Sequence, residues 1–120
     1  MSQYKLADKR YKTNIVKIQE ALELIKKVHG YEFEWNEVRQ DQFSGKDYGF
    51  IAQEIMGVIP KSVKKENKQL HIDQTTLIPF LVQCIHELDQ RNTDLEIDVE
   101  QLKNEIKSIK TFFKIDKEEI

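Results

Sequence analysis

The chain has 120 residues, with 19 basic and 21 acidic side chains and a formal charge of −2 at neutral pH. That length makes one domain or less, and without a basic excess there is no electrostatic drive toward a phosphate backbone, so nucleic acid is not an expected partner. Hydrophobic residues supply 39% of the chain, enough to fold but with little to bury, a shortfall that oligomerisation commonly remedies.

The longest uninterrupted apolar run, Leu77 to Val82, is far too short to span a membrane. Met1 is followed by polar and charged residues, so no signal peptide is expected. Cys84 is the single cysteine, which rules out an internal disulfide and suits a reducing compartment.

In chain order, residues 1–6 read as a polar leader. From Asn14 the apolar positions Ile15, Ile18, Leu22 and Ile25 step by three and four, which predicts one helix with Ala21 and Val28 at the margins of its buried face. Gly30, after Lys26, Lys27 and His29, is the expected stop. Tyr31, Phe33 and Trp35 alternate with Glu32, Glu34 and Asn36, the pattern of a strand with one buried face. The polar run Asn36 to Asp47, with its Ser44-Gly45 turn signal, reads as a loop.

Phe50 to Val58 predicts a short helix with Ile51 and Ile55 on one face, ended by Gly57 and Pro60. Lys61 to Gln69, carrying four lysines and Glu66, reads as a solvated loop. Leu70 and Ile72 alternate with polar neighbours and predict a second short strand, paired with Tyr31–Trp35. Thr75 or Thr76 is the expected N-cap of the next helix, and Pro79 is tolerable in its first turn, where the missing N–H has no partner to lose.

From Ile85 to Phe113 a heptad register runs unbroken. Position a holds Ile85, Asn92, Val99, Ile106 and Phe113; position d holds Leu88, Leu95, Leu102 and Ile109. In a parallel coiled coil the g and e flanks would pair Arg91 with Glu96, Asp98 with Lys103, and Glu105 with Lys110, all opposite in sign. Each such pair contributes only about 0.3–0.5 kcal/mol, enough to set orientation. Asn92 at a fixes register at some cost in stability. The competing reading is a helix folded back on its own head, which would leave those charge pairs without a purpose. By the a and d rule alone, β-branched a with Leu at d favours two strands.

Three blocks carry a resemblance. The first is Ala7-Asp8-Lys9-Arg10-Tyr11-Lys12-Thr13-Asn14-Ile15; the second is Tyr48-Gly49-Phe50-Ile51-Ala52-Gln53-Glu54-Ile55; the third runs from Ile72 to Leu88. Together and in this order they resemble the endosialidase-type intramolecular chaperones, self-cleaving C-terminal domains of phage tail spikes, tail fibres and neck appendages. That family opens on Ser-Asp-x-Arg-Leu-Lys-x-Asn-Ile and cuts immediately before the serine. Here Asp8, Arg10, Lys12, Asn14 and Ile15 match, Tyr11 replaces the leucine, and Ala7 stands where the serine would be.

The resemblance implies a serine–lysine dyad, with Lys12 as general base and the Leu6–Ala7 bond as the junction. Ala7 has no hydroxyl, so the chain as it stands is expected not to cut itself. A working lysine must be neutral, so its pKa of about 10.4 has to fall toward ~7–8 through burial or nearby cations. Lys9 and Arg10 would help; Asp8 would oppose them. Ser2, Ser44, Ser62 and Ser108 sit in unrelated contexts. An alanine in an otherwise intact motif so close to Met1 reads as a deliberate block in an excised fragment. Asp8 and Asn14 are also expected as helix caps, Gln53 and Glu54 as packing or trimer contacts, and Cys84, at a g position, as a small apolar residue.

His29, His71 and His86 lack metal-ligand spacing, and the 4 glycines are dispersed, so neither a metal nor a cofactor is expected. The expected fold is α+β: a leader over 1–6, a small helical head over 7–74 with a short antiparallel strand pair, and a long C-terminal helix over 75–120 forming a parallel coiled coil. The resemblance implies three strands in that coil, because the parent fibres are trimers. It also implies the job: aligning three copies of an upstream β-structured stalk in the host cytoplasm during virion assembly, then leaving the virion after cleavage. Two other classes remain, an active self-processing peptidase and a plain coiled-coil adaptor.

Overall fold

The computed structural model describes residues 4–36 and 45–113. Pro79 stands in the first turn of a helix, α3 (Ile78–Phe112), and from Phe80 to Phe112 there is neither glycine nor proline to interrupt it. Its 35 residues, at about 1.5 Å each, make a rod that dominates the molecule. The radius of gyration is 23.8 Å, whereas a compact chain of this length would have roughly 14 Å. The shape is a small head on a projecting helix.

The predicted helix from Asn14 to Val28 is much shorter than the spacing implied. Only α1 (Ala21–Ile25) is helical. Asn14 and Glu20 have φ of 53° and 57°, in the left-handed region through which a right-handed helix cannot propagate. Residues 12–20 therefore form an irregular arm. Ile18, Leu22 and Ile25 still reach a core, but Ile15 does not. Asp8 does cap a helix start, a single 3-10 turn over Lys9–Tyr11; Asn14 breaks the chain direction instead of capping.

The expected strand at Tyr31 is present as β1 (Tyr31–Glu34), but its partner is not Leu70–Ile72. It pairs antiparallel with β2 (Lys46–Gly49), Tyr31 opposite Gly49 and Glu34 opposite Lys46. The end of the predicted Asn36–Asp47 loop is thus strand, and residues 37–44, Ser44 included, lie outside the described residues. The face carrying Tyr31, Phe33 and Trp35 is only partly buried.

The lysine-rich stretch read as a loop is a second hairpin. Strand β3 (Val63–Glu66) pairs with β4 (Gln69–Ile72), Val63 opposite Ile72. Asn67 and Lys68 make the turn with φ of 52° and 63°, the two positive values that a two-residue hairpin turn of the right twist requires. Four of its eight strand positions are Lys64, Lys65, Glu66 and Gln69, all exposed, so the period-two signal is nearly erased. Between the hairpins lies the predicted short helix, α2 (Ala52–Met56), closed by Gly57.

Two small apolar clusters hold the head on the base of α3. Ala21, Leu22 and Cys84 form one, with Ile18 and Ile25 against it. Ile55, Ile59 and Leu77 form the other, flanked by Ile25, Phe50, Ile72 and Phe80 among others. Ile25 touches both and joins them. Neither Thr75 nor Thr76 caps α3: its N-cap is Leu77, with no side-chain cap, and the side-chain cap belongs to the turn before it. Asp73 Oδ1 accepts from the Thr75 N–H at 3.1 Å and opens a 3-10 turn, Gln74–Thr76, that leads into α3. The Thr76 and Ser62 hydroxyls are hydrogen-bonded to each other, and the Asp73 N–H donates to the Ser62 carbonyl at 2.8 Å. This tie fastens the second hairpin to the start of the rod.

Candidate functional site

Three regions are candidates for a functional site: the arm with Leu6, Ala7 and Lys12, the open face of α3, and a cleft between the hairpins. In the arm, Leu6 and Ala7 are exposed and precede the 3-10 turn; Lys12 follows it, its N–H donating to the Lys9 carbonyl at 3.1 Å. The turn is built by its own side chains. Asp8 Oδ1 accepts from the Arg10 backbone N–H at 2.9 Å, and its Oδ2 accepts from Arg10 Nη2 at 2.8 Å and Nε at 3.1 Å. A two-pronged guanidinium on a carboxylate is the strongest form of such a contact.

The Arg10 guanidinium, and after it the Arg10 backbone N–H, hold the Asp8 carboxyl below its ordinary range, while Asp8 pushes Arg10 upward. Asp8 and Arg10 are therefore a local clamp that sets the turn between Ala7 and Lys12. It also means that the charges of Asp8 and Arg10 offset each other. Lys12 itself is exposed and takes no side-chain hydrogen bond or ion pair among the described residues.

Glu54, in the second block, has a structural task. Its carboxylate accepts from the His29 N–H at 2.9 Å and from the Tyr31 hydroxyl at 2.6 Å, tying α2 to the start of β1. The Tyr31 hydroxyl lowers the Glu54 carboxyl despite some desolvation, and the carboxylate raises Tyr31 in return. The sequence did not reveal the cleft between the hairpins because the first half of β2, Lys46 and Asp47, lay inside a predicted loop. The cleft holds about 700 Å³ and is lined by Phe33, Trp35, Tyr48, Phe50, Leu70 and Ile72 among others. Phe33 and Trp35 meet edge to face with centroids 5.1 Å apart. Among the described residues, no group of three His, Cys, Asp or Glu could hold a metal ion.

On α3 the heptad seam is open. Ile78, Leu81, Ile85, Leu88, Leu95, Val99, Leu102, Ile106 and Ile109 are between 45% and 66% exposed. The head sits on a different flank. Cys84 is buried against Ala21 and Leu22, Glu87 Oε2 accepts from the Leu22 N–H at 3.2 Å, and Arg91 Nη2 reaches Glu23 Oε1 at 3.2 Å. From Asn92 to Ile109 every residue is exposed. The helix thus docks on its own head only through its first turns.

Two expected partners are already engaged within the chain: Arg91 by Glu23, and Glu96 by Asn92, whose Nδ2 donates at 2.9 Å. Asp98, Lys103, Glu105 and Lys110 take no ion-pair partner among the described residues.

Comparison with known proteins adds the following. The family described as chaperone of endosialidase, Peptidase_S74, matches residues 7–64. The long tail fibre protein Gp37 of Enterobacteria phage K3 is 29% identical over 98 residues, which covers 78% of this chain and 8% of the relative. Gp37 of Enterobacteria phage T2 is 29% identical over 98 residues, covering 78% of this chain and 7% of the relative. The chain therefore spans less than a tenth of the length of these two proteins.

Proposed function

Residues 7–64 belong to the chaperone-of-endosialidase family, and from that premise we propose that the chain is a trimeric intramolecular chaperone for a phage tail fibre. Its client is the β-structured stalk upstream in the same polypeptide. The observation that carries this reading is the open heptad seam on a 35-residue helix. Interleaving three chains demands intermolecular contacts, whose closure and association entropy must be met before burial offsets it. A parallel bundle of α3 helices converts that encounter into an effectively intramolecular step. The matching signs of the g and e charges support the parallel alignment. The setting is the host cytoplasm during assembly; among the described residues no helix is long and apolar enough to cross a membrane.

Release is by cleavage in the serine form of the motif. A hydroxyl at position 7 adds to the Leu6 carbonyl, Lys12 takes its proton and returns it to the nitrogen of residue 7, and the C–N bond breaks. Water then hydrolyses the resulting ester, leaving a Leu6 carboxylate and a freed chaperone. The stalk, cut from its aligner, is locked in kinetically. With Ala7 the first step has no nucleophile, so the chain is cleavage-dead. The Asp8–Arg10 clamp, which forms the turn between residue 7 and Lys12, supports their assignment to one site.

The test is expression behind the natural stalk. Soluble trimeric fibre should form with this chain and fail to form without it; equal yields in both cases would refute the chaperone reading in favour of a plain adaptor. In the same background Ala7→Ser should restore a cut after Leu6, read by intact mass. Adding Lys12→Arg should abolish it, since a guanidinium keeps its proton at neutral pH.

A further inference from the structure

The register of the second hairpin decides which backbone groups of β4 are left over. The Asp73 N–H donates to the Ser62 carbonyl at 2.8 Å, and Val63 stands opposite Ile72. Bonded positions alternate along an antiparallel pair, so Gln69, His71 and Asp73 turn their backbone groups toward β3. Those of Leu70 and Ile72 turn the other way, and among the described residues they take no hydrogen-bond partner. A two-stranded hairpin has little stability of its own, and an open edge is a template for a further strand.

That edge faces the cleft between the hairpins. Lys68 to Ile72 line the cleft in unbroken sequence, from both faces of β4, and no residue of β3 joins them. The opposite wall includes Asp47 to Gln53, but there the strand is guarded. The Trp35 N–H donates to the Gly45 carbonyl at 3.3 Å, a phase that turns the Tyr48 N–H outward, and Asp47 Oδ1 accepts that N–H at 2.8 Å. Along the cleft, β4 therefore offers open N–H groups and β2 does not. The volume, about 700 Å³, lies within the usual size of a ligand site, roughly 300–1,000 Å³.

The two faces of the open edge ask for different side chains. Leu70 and Ile72 line the cleft together with Phe33 and Phe50. His71 lies on the other face of β4 opposite Lys64, and Lys68 stands at the turn. All three are exposed, and neither lysine takes an ion-pair partner among the described residues. In a strand added to β4, alternate side chains would meet an apolar wall and a basic face; backbone pairing supplies the affinity and the side chains the selection. The end of β4 also lies near the upstream end of the chain. The Asp73 carboxyl is held below its ordinary range first by the Thr75 hydroxyl, and the charge of Lys5 adds to the effect. The segment around Lys5 thus passes close to β4, which gives an upstream stalk a high effective concentration at that edge.

We propose that the open edge of β4 captures an extended strand of the client stalk, one that alternates apolar with acidic side chains and pairs its backbone with Leu70 and Ile72. The proposal rests on the reading of the chain as a chaperone for that stalk. A strand held in this way has its own edge covered, so it is kept from pairing with a wrong neighbour until the right one displaces β4.

The probe is a short capped peptide alternating valine and glutamate, added to the full chain at millimolar concentration, with amide hydrogen exchange read residue by residue by nuclear magnetic resonance. In the chain alone the Leu70 and Ile72 amides should exchange freely, while those of Gln69 and His71, bonded to β3, are protected. The peptide should slow Leu70 and Ile72 by about tenfold, and the same peptide methylated on its backbone nitrogens should not. A valine–lysine peptide should act more weakly, a preference that Lys64→Glu should reverse. No slowing by the valine–glutamate peptide, or equal slowing by both peptides, overturns the proposal. Protection of Leu70 and Ile72 in the chain alone also overturns it, whether a second copy or the chain itself supplies the cover. Leu70→Pro tests the source of the strand. It removes an outward N–H, which an edge strand tolerates, and Leu70 belongs to neither apolar cluster. Behind the natural stalk this variant, with its Gln69 and His71 amides still protected, should give severalfold less soluble fibre than the unsubstituted chain. Equal yields overturn capture of the client and leave the proposed function standing; no gain from the unsubstituted chain over its absence overturns both.

Discussion

The head and the distal part of α3 are held by different physics. In the head, elements of four or five residues surround two small apolar clusters, and short polar ties such as Glu54 to Tyr31 and Ser62 to Thr76 fasten one to the next. Beyond Arg91 no side chain of the helix is tied to the head among the described residues, and every residue from Asn92 to Ile109 is exposed. An isolated helix gains little from its own hydrogen bonds and takes most of its stability from packing an apolar face. The head can therefore hold its shape within one chain, while the distal helix, over Asn92 to Ile109, has no packing partner among the described residues.

The largest test of that contrast is Leu95→Asp with Leu102→Asp. In a trimer each substitution places three carboxylates in one buried layer, and unpaired buried charge is strongly unfavourable. Light scattering should fall from roughly three times the 14.3 kDa chain mass to one, while the head signals of a nuclear magnetic resonance spectrum persist. Loss of the head signals as well would show that the two regions do not fold separately. Truncation sharpens the same point. Cutting at Ile85 would also remove Glu87 and Arg91, which dock the head, so the informative cut falls after Asn92.

The reverse experiment is Ile55→Ala. Ile55 is fully buried at the centre of the second cluster, and truncating such a side chain costs about 2–5 kcal/mol. In a head this small that is enough to unfold it. Denaturant melting followed by the fluorescence of Trp35 should show the loss, while light scattering still reports association through α3. An unchanged midpoint would remove Ile55 from the core.

A smaller effect separates two partners for Arg91. Its contact with Glu23 is between side chains more than half exposed, and such pairs contribute about 0.2–1 kcal/mol. A double-mutant cycle of Arg91→Ala with Glu23→Ala should return a coupling in that range. If the coupling appears instead in the cycle with Glu96→Ala, Arg91 has left the head for a neighbouring helix on assembly.

The same contrast explains what could be read from the sequence. The rod was legible because its periodicity repeats over four heptads, each reinforcing the last. The hairpins were not. Strand β2 reads Lys46-Asp47-Tyr48-Gly49 and β3 reads Val63-Lys64-Lys65-Glu66, each with at most one partly buried residue, so neither shows the alternation that marks a half-buried strand. The Asn67-Lys68 turn lacks the glycine that usually signals a hairpin. The false helix from Asn14 had correct spacing but contained two residues, Asn14 and Glu20, in the left-handed region, a choice made by the arm's path across α3 and invisible locally. The proposed junction rests on the family motif alone, since Lys12 by itself is an exposed lysine beside a turn.

The smallest expected effect concerns the turn that separates Ala7 from Lys12. The Asp8 carboxyl is held below its ordinary range, first by the Arg10 guanidinium and then by the Arg10 backbone N–H. A carboxylate lowered in the folded state adds stability that is complete above its unfolded pKa of about 3.9 and is lost as pH falls through the folded value. The turn should therefore stay closed through neutral and mildly acidic solution and open only in stronger acid. The Arg10 amide proton, which the Asp8 oxygen accepts, reports this directly: its chemical shift should titrate with a midpoint below the ordinary carboxylate value. A midpoint at or above that value would mean that the clamp does not form in solution. Asp8→Asn keeps an oxygen able to accept from the Arg10 N–H but removes the ion pair, so it should abolish the titration while leaving the thermal midpoint of the head nearly unchanged, as expected where both partners lie at the surface. If residue 7 and Lys12 form one site, as proposed, the same change in the Ala7→Ser background should slow cleavage without disturbing assembly, because the turn between them would lose the ion pair, whereas the seam of α3 lies elsewhere.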